Sequence, residues 1–268
     1  SFTYSGVDLE NKQAITIINY KKDYLSTALV HALIKGTEKL FSIKHPNILQ
    51  PLDYYYEGHL FYVIYSAKEK YITIEEFIKK GTKPSLKRIW KQTTQIISGL
   101  LELEKNKIVH GCINLNTILV NTNLDIKLSK IYLHYLVYSA IFKQLDVVDY
   151  CIFYPPEFIQ YQEYTVKSDI YSFGMLLYAI FSHQWPYKYT SNITALKKEL
   201  LKKPAPFKKS SHLIPDKLGQ IIALCIRKNA KNRIPSFRNF IKIYRYPENI
   251  KEMLQLKSVK GENILIDI

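Results

Sequence analysis

Val109-His110-Gly111-Cys112-Ile113-Asn114-Leu115-Asn116-Thr117-Ile118-Leu119-Val120 is the stretch that decides the fold. Ahead of it, Leu86 to Glu104 sets Ile89, Trp90, Ile96, Ile97, Leu100 and Leu101 on one stripe, the period of a long amphipathic helix. Behind it comes a short strand pair. Further upstream, Ala14 to Ile18 and Leu60 to Tyr65 are β-branched and aromatic runs that read as strands. Between them Thr27 to Ile43 has helical spacing, with Leu29, Leu33, Leu40 and Ile43 at threes and fours. Downstream, Asp169 to Phe181 is apolar on nearly every face, as expected of a helix buried on all sides. Ile193 to Leu201, Lys217 to Arg227 and Ser236 to Tyr244 read as further helices. The pattern predicts an α+β chain with a small β-rich lobe followed by a larger helical one.

Composition narrows the classes. The chain has 268 residues, 47% of them apolar, enough for a sizeable core in two lobes. Lys and Arg outnumber Asp and Glu by 38 to 23, a net charge of +15 that suits acidic or phosphate-rich surfaces. Cys112, Cys151 and Cys225 are far apart and form no CxxC pair, so a reducing compartment is expected. No run reaches the roughly 18 apolar residues of a membrane helix. Zinc and RNA-binding patterns are missing, which disfavours nucleic acid as a partner.

The stretch 109–120 resembles the catalytic loop of protein kinases, and the resemblance continues in order along the chain. His45-Pro46-Asn47-Ile48 is similar to the segment after the small-lobe helix. Tyr154-Pro155-Pro156-Glu157 resembles the end of the activation segment, and Lys167 to Gly174 the start of the buried large-lobe helix. Asn232-Arg233-Ile234-Pro235-Ser236 resembles the arginine motif near the domain end. The resemblance implies a bilobal protein-kinase-like fold: small lobe 1–66, large lobe 67–246, and an extension 247–268 leading toward a further domain or partner. It also implies structural roles for His110, for Asp169 as a cap on the loop backbone, and for Glu157 with Arg233 as a buried ion pair.

The positions that carry phosphotransfer in the family are altered. A kinase flap needs GxGxxGxV, while Tyr4-Ser5-Gly6-Val7-Asp8-Leu9-Glu10 offers Gly6 alone. Thr16 stands at the strand lysine, and Gly36 at the helix glutamate that pairs with it. Cys112 replaces the base aspartate, Asn114 the phosphate-steadying lysine, and Thr117 the metal-binding asparagine. Lys130-Ile131-Tyr132 stands where the metal-binding DFG triplet belongs. Two lysines are candidate cofactor ligands. Lys12 could reach inward from its turn; Lys130 could neutralise a phosphate in place of the metal, or pair with an acid and hold the cleft shut.

These departures predict a pseudokinase of tyrosine-kinase-like or NIMA-like flavour: not an enzyme, without metal or cofactor, cytoplasmic, acting as a scaffold or allosteric regulator. The expected partner is a protein, such as an active kinase or signalling protein, with acidic surfaces as further targets. One alternative is a divergent kinase-fold enzyme or a magnesium-independent ATP-binding switch. Another is a basic module for phosphoproteins or nucleic acid. Tyr132, Tyr135, Tyr138 and Tyr150, interleaved with Leu133, Leu136, Val137, Ile141 and Phe142, predict either a helix blocking the cleft or a protein-binding surface.

Overall fold

Six-residue and seven-residue strands open the chain, β1 (Phe2–Val7) and β2 (Ala14–Tyr20), joined by a turn in which Asp8 caps the following backbone. The computed structural model describes residues 2–20, 26–57, 60–81, 85–132, 152–188, 192–202, 204–209 and 214–245. Stretch 133–151, with most of the aromatic run singled out above, and residues 246–268, which include the extension 247–268, lie outside them.

Helix α1 (Thr27–Phe41) starts at Ser26, whose Oγ accepts from the Leu29 N–H. Two further strands, β3 (Pro51–Glu57) and β4 (Leu60–Ser66), complete an antiparallel sheet of order β1-β2-β4-β3. Register puts Thr16 opposite Tyr65, Ile18 opposite Val63 and Tyr20 opposite Phe61. Directly opposed residues share a face, so these six side chains line one side of the sheet. All but half-buried Thr16 are buried. Phe41 stacks on Tyr54 and Tyr54 meets Phe61, so α1 lies against this face.

The large lobe begins with β5 (Tyr71–Thr73) and α2 (Ile74–Lys79), the helix entered through a Thr73–Glu76 capping box. Helix α3 (Leu86–Lys105) leads into the loop 106–117, and β6 (Ile118–Asn121) with β7 (Ile126–Leu128) joins β5 in a second sheet. Then come α4 (Pro156–Tyr161), α5 (Val166–Ser182), α6 (Ile193–Leu200), α7 (Asp216–Cys225) and α8 (Phe237–Arg245). Helix α5 is buried on every face from Ser168 to Tyr178, as its apolar run requires. Among the described residues no helix is long and apolar enough to cross a membrane.

Candidate functional site

The loop that decides the fold is anchored from beneath by α5. Asp169 accepts from the backbone N–H of His110 at 2.6 Å and of Gly111 at 2.9 Å, and from the Tyr164 hydroxyl at 2.8 Å. Burial pushes the Asp169 carboxyl up to about 6, against these hydrogen bonds, which pull it down. Gly111 has φ 79°, a conformation glycine adopts without a Cβ clash. Tyr154 donates to the Gly111 carbonyl at 3.1 Å, and His110 Nδ1 accepts from the Cys112 N–H at 3.3 Å. A second anchor lies below. Arg233 grips both Glu157 oxygens at 2.6 and 2.7 Å and donates to the carbonyls of Lys167, Arg227 and Lys228.

Three altered positions in the loop turn their side chains back onto the loop itself. Cys112 is 2% exposed, and burial pushes its thiol up to about 11. The thiolate is the nucleophilic form, so Cys112 is predominantly the inert thiol at neutral pH. Asn114 Nδ2 donates toward Cys112 Sγ at 3.3 Å, and its Oδ1 accepts from the Asn116 N–H at 2.8 Å. Thr117 Oγ1 donates to the Cys112 carbonyl at 2.5 Å and accepts from the Asn114 N–H at 3.1 Å. A side chain swung outward would leave these buried backbone groups unmet, at about 1–3 kcal/mol each.

Segment 130–132 is a left-handed kink. Lys130 and Tyr132 have φ of 55° and 71°, a region that costs a non-glycine residue on the order of 1–3 kcal/mol. Ile131 between them is buried. The Tyr132 ring lies on Gly36 of α1: a Cβ at position 36 would stand 2.7 Å from Tyr132 Cδ2 and 2.8 Å from Cγ. The residue without a side chain at the glutamate position therefore makes the room for the tyrosine. Lys130 is half-buried, and burial pulls its pKa down while the nearby Cys112 and Glu76 pull it up. It makes no hydrogen bond or ion pair to any described residue.

The remaining candidates divide. Thr16 sits on the inward face of β2, in line with Ile18 and Tyr20. Gly6 lies near the end of β1, opposite Ile15 in the β1–β2 hairpin, where a Cβ would meet only ordinary contacts at 3.7 and 4.0 Å. Lys12 is exposed on the β1–β2 turn, with φ 58°, and is not brought to the loop. The inward phenols of Tyr20 and Tyr65 were not among the expected residues. Only the strand register reveals them, through the spacing of four from Thr16 to Tyr20 on one face.

The family's usual cofactor is magnesium with ATP. Magnesium wants hard oxygen ligands, carboxylates above all. The positions that should supply them hold Thr117, whose Oγ1 is engaged in the loop, and Lys130, which is a cation. Among the described residues no group of three or more His, Cys, Asp or Glu is placed to hold a metal. These residues do not fit a magnesium ion.

Comparison with known proteins places the chain. Residues 3–243 match the family model described as protein tyrosine and serine/threonine kinase. The tyrosine-protein kinase SRK3 of Spongilla lacustris is 26% identical over 239 residues, 86% of this chain and 69% of the relative. The serine/threonine-protein kinase PrkC of Bacillus subtilis is 24% identical, covering 84% of this chain but 35% of the relative. The transforming tyrosine-protein kinase Abl of Abelson murine leukemia virus is also 24% identical, over 87% of this chain and 31% of its own. The chain thus spans about a third of the length of two of these three. These matches correct one expectation, that the chain is not an enzyme: a kinase family model and relatives named as kinases point to a protein kinase. With a β-sheet lobe, a helical lobe and a loop anchored on a buried helix, matched from end to end of the described fold, this chain belongs to the protein tyrosine and serine/threonine kinase family.

Proposed function

We propose that this kinase-family chain works mainly as a regulator, a scaffold or allosteric partner that acts through protein–protein contact, with a protein kinase or signalling protein as its partner. One observation supports the reading: the structural anchors Asp169 and Arg233 are fully engaged, while Cys112, Asn114 and Thr117 are tied inward. The fold is thus maintained by groups separate from those that would meet a substrate. The kinase relatives favour a second reading, a divergent phosphotransfer enzyme that takes its charge neutralisation from Lys130.

Radiolabelled transfer from ATP to a general protein substrate, with magnesium present, separates the two. The regulatory reading expects only slow incorporation, unchanged by Cys112→Ala or Lys130→Ala. Rapid incorporation, lost on Cys112→Ala or Lys130→Ala, overturns it and supports phosphotransfer as the main activity.

A further inference from the structure

The positive surplus of the chain is concentrated at one end. Residues 1–66 hold six lysines and six acids, while residues 188–245 hold fifteen lysines and arginines against two acids, Glu199 and Asp216. Both acids are already taken, Glu199 by Lys202 at 2.6 Å and Asp216 by Lys209 at 2.7 Å. Lys198, Lys208 and Lys217 are exposed, and none of them pairs with an acid among the described residues.

The fold sets these residues along one strip. Lys198 and Lys202 stand four residues apart at the end of α6, with Leu201 between them 47% exposed. Segment 204–209 follows and is fixed against α5 and α7. The Ala205 N–H donates to the Pro186 carbonyl at 2.7 Å, and the Tyr178 hydroxyl to the Pro206 carbonyl at 3.1 Å. The Phe207 ring meets the Tyr178 ring edge-on at 5.5 Å, and a Cβ on Gly219 of α7 would stand 2.9 Å from Phe207 Cδ1. Lys209 then ties the segment to Asp216, the neighbour of Lys217 in the first turn of α7.

Helix capping accounts for only part of this charge. Cations at the C-terminal end of α6 suit its dipole, which explains Lys197 and Lys198. Lys217 has the opposite setting: it stands in the first turn of α7, where the dipole disfavours a cation. Lys208 lies on no helix. Folding does not call for these two charges; an anionic partner does. The neighbours on the strip say which kind. Leu201 is an exposed apolar group among lysines, and Ala205 and Pro206 are exposed beside Lys208. Nucleic acid would reward exposed aromatics for stacking, but Phe207 is turned in on Tyr178. Residues 188–226 contain no arginine, so the strip lacks the fork that grips phosphate with two parallel bonds. A protein segment that carries both carboxylates and apolar side chains matches the lysines and Leu201 together.

We propose that the strip formed by the end of α6, segment 204–209 and the start of α7 docks an acidic protein segment. Its carboxylates meet Lys198, Lys208 and Lys217, and an apolar side chain packs on Leu201. The inference deepens the regulatory reading and rests on it for the nature of the partner; the phosphotransfer assay above decides that reading without involving this strip.

The test uses the full chain and four probes: a labelled peptide of glutamates and leucines, the same peptide with glutamine for every glutamate, oligothymidylate, and vesicles of equimolar phosphatidylserine and phosphatidylcholine. The glutamate peptide should bind and the glutamine peptide should not, and affinity should fall as salt rises, since the charges are exposed. Lys208→Gln with Lys217→Gln should weaken binding about threefold to tenfold, the scale of two exposed ion pairs. Leu201→Ser should weaken it about threefold, the scale of a partly covered leucine. Lys35→Gln with Lys39→Gln removes the same charge from exposed positions of α1 and should leave binding unchanged. Lys217→Glu should also raise the melting temperature of the free chain, because an anion suits the start of α7.

No binding of the glutamate peptide overturns the proposal. So does equal weakening by the α1 pair, which would make the effect one of net charge alone. Tighter binding of oligothymidylate or of the vesicles overturns the assignment to a protein partner. A lower melting temperature for Lys217→Glu would show that the fold itself holds Lys217, and overturns it too. A chain that transfers phosphate slowly and ignores the peptide keeps the regulatory reading and loses this strip.

Discussion

Arg233 uses every donor of its guanidinium: two on Glu157 and three on the carbonyls of Lys167, Arg227 and Lys228, with the face of Tyr171 at 4.8 Å. A lysine has one charged centre and cannot reproduce that fork. Arg233→Lys should therefore destabilise nearly as much as Arg233→Ala, about 3 kcal/mol for a partly buried Glu157 left uncompensated, read as a drop in urea midpoint. A loss under about 1 kcal/mol for the lysine variant would mean that the fork contributes little. Asp169 carries a pH signature of opposite sense to ordinary acid denaturation. Its carboxyl is raised from 3.8 to about 6 in the fold, so the folded state binds the extra proton between those values. Stability from this group is fully present below pH 4 and is lost as pH rises through 6. Asp169→Asn should be less stable overall, because an amide presents N–H where the His110 or Gly111 N–H needs an acceptor. It should also remove this falling component from a plot of stability against pH between 4 and 6. A plot of unchanged slope in the variant would assign the titration elsewhere.

Two contacts between elements turn on glycines. A Cβ at Gly174 of α5 would stand 2.4 Å from Cys225 Cβ at the end of α7, so these helices touch backbone to side chain. Gly174→Ala should cost about 1–3 kcal/mol by overpacking, visible in thermal melts. At the other lobe, Gly36→Ala should strike the Tyr132 ring, and Tyr132→Ala should relieve it. A double-mutant cycle on stability should return a favourable coupling of at least 1 kcal/mol; additive effects would show that the ring does not rest on α1. Such contacts explain which parts were legible in the sequence. Helices α3 and α5 announced themselves, because a 3.6-residue stripe and an all-apolar run each have one good solution. Asp169, Glu157 and Arg233 were legible through their motifs, and the structure brings each to the expected backbone or partner. Gly6 carried little signal, since a lone glycine does not fix a hairpin whose pairing is set by residues 15 and beyond. Tyr20 and Tyr65 carried no motif. Their shared direction follows from register, which local sequence does not specify.

At the scale of the whole molecule the two lobes meet along a seam that a short segment forms, besides the chain passing from β4 to β5 and the Gly36–Tyr132 contact. Residues 45–49 leave α1 and dock on β7: the Leu128 N–H donates to the Asn47 carbonyl at 2.8 Å, and the Leu49 N–H to the Leu128 carbonyl at 2.9 Å. Asn47 Nδ2 donates to the Ile126 carbonyl at 2.9 Å, Ser98 Oγ meets His45 Nε2 at 3.2 Å, and Ile48 is 1% exposed. The buried apolar residues form one continuous cluster from Ile18 in the small lobe to Ile243 in the large one. A shared core and a bonded seam make the lobes one cooperative unit, as opposed to two domains on a linker. The expected outcome is a single unfolding transition, coincident by far-UV circular dichroism and by the fluorescence of Trp90 and Trp185, which both pack in the large lobe. Asn47→Ala leaves the buried Ile126 carbonyl without its side-chain donor, which should cost about 1–3 kcal/mol. Because the seam is loosened while each lobe keeps its own interior, the circular dichroism signal, which includes the small-lobe sheet, should begin to fall before the tryptophan signal. Transitions that stay coincident in Asn47→Ala would show that the apolar core alone couples the lobes. Transitions already separate in the wild type would show that the lobes unfold independently, and that a partner gripping one of them could not report to the other through this seam.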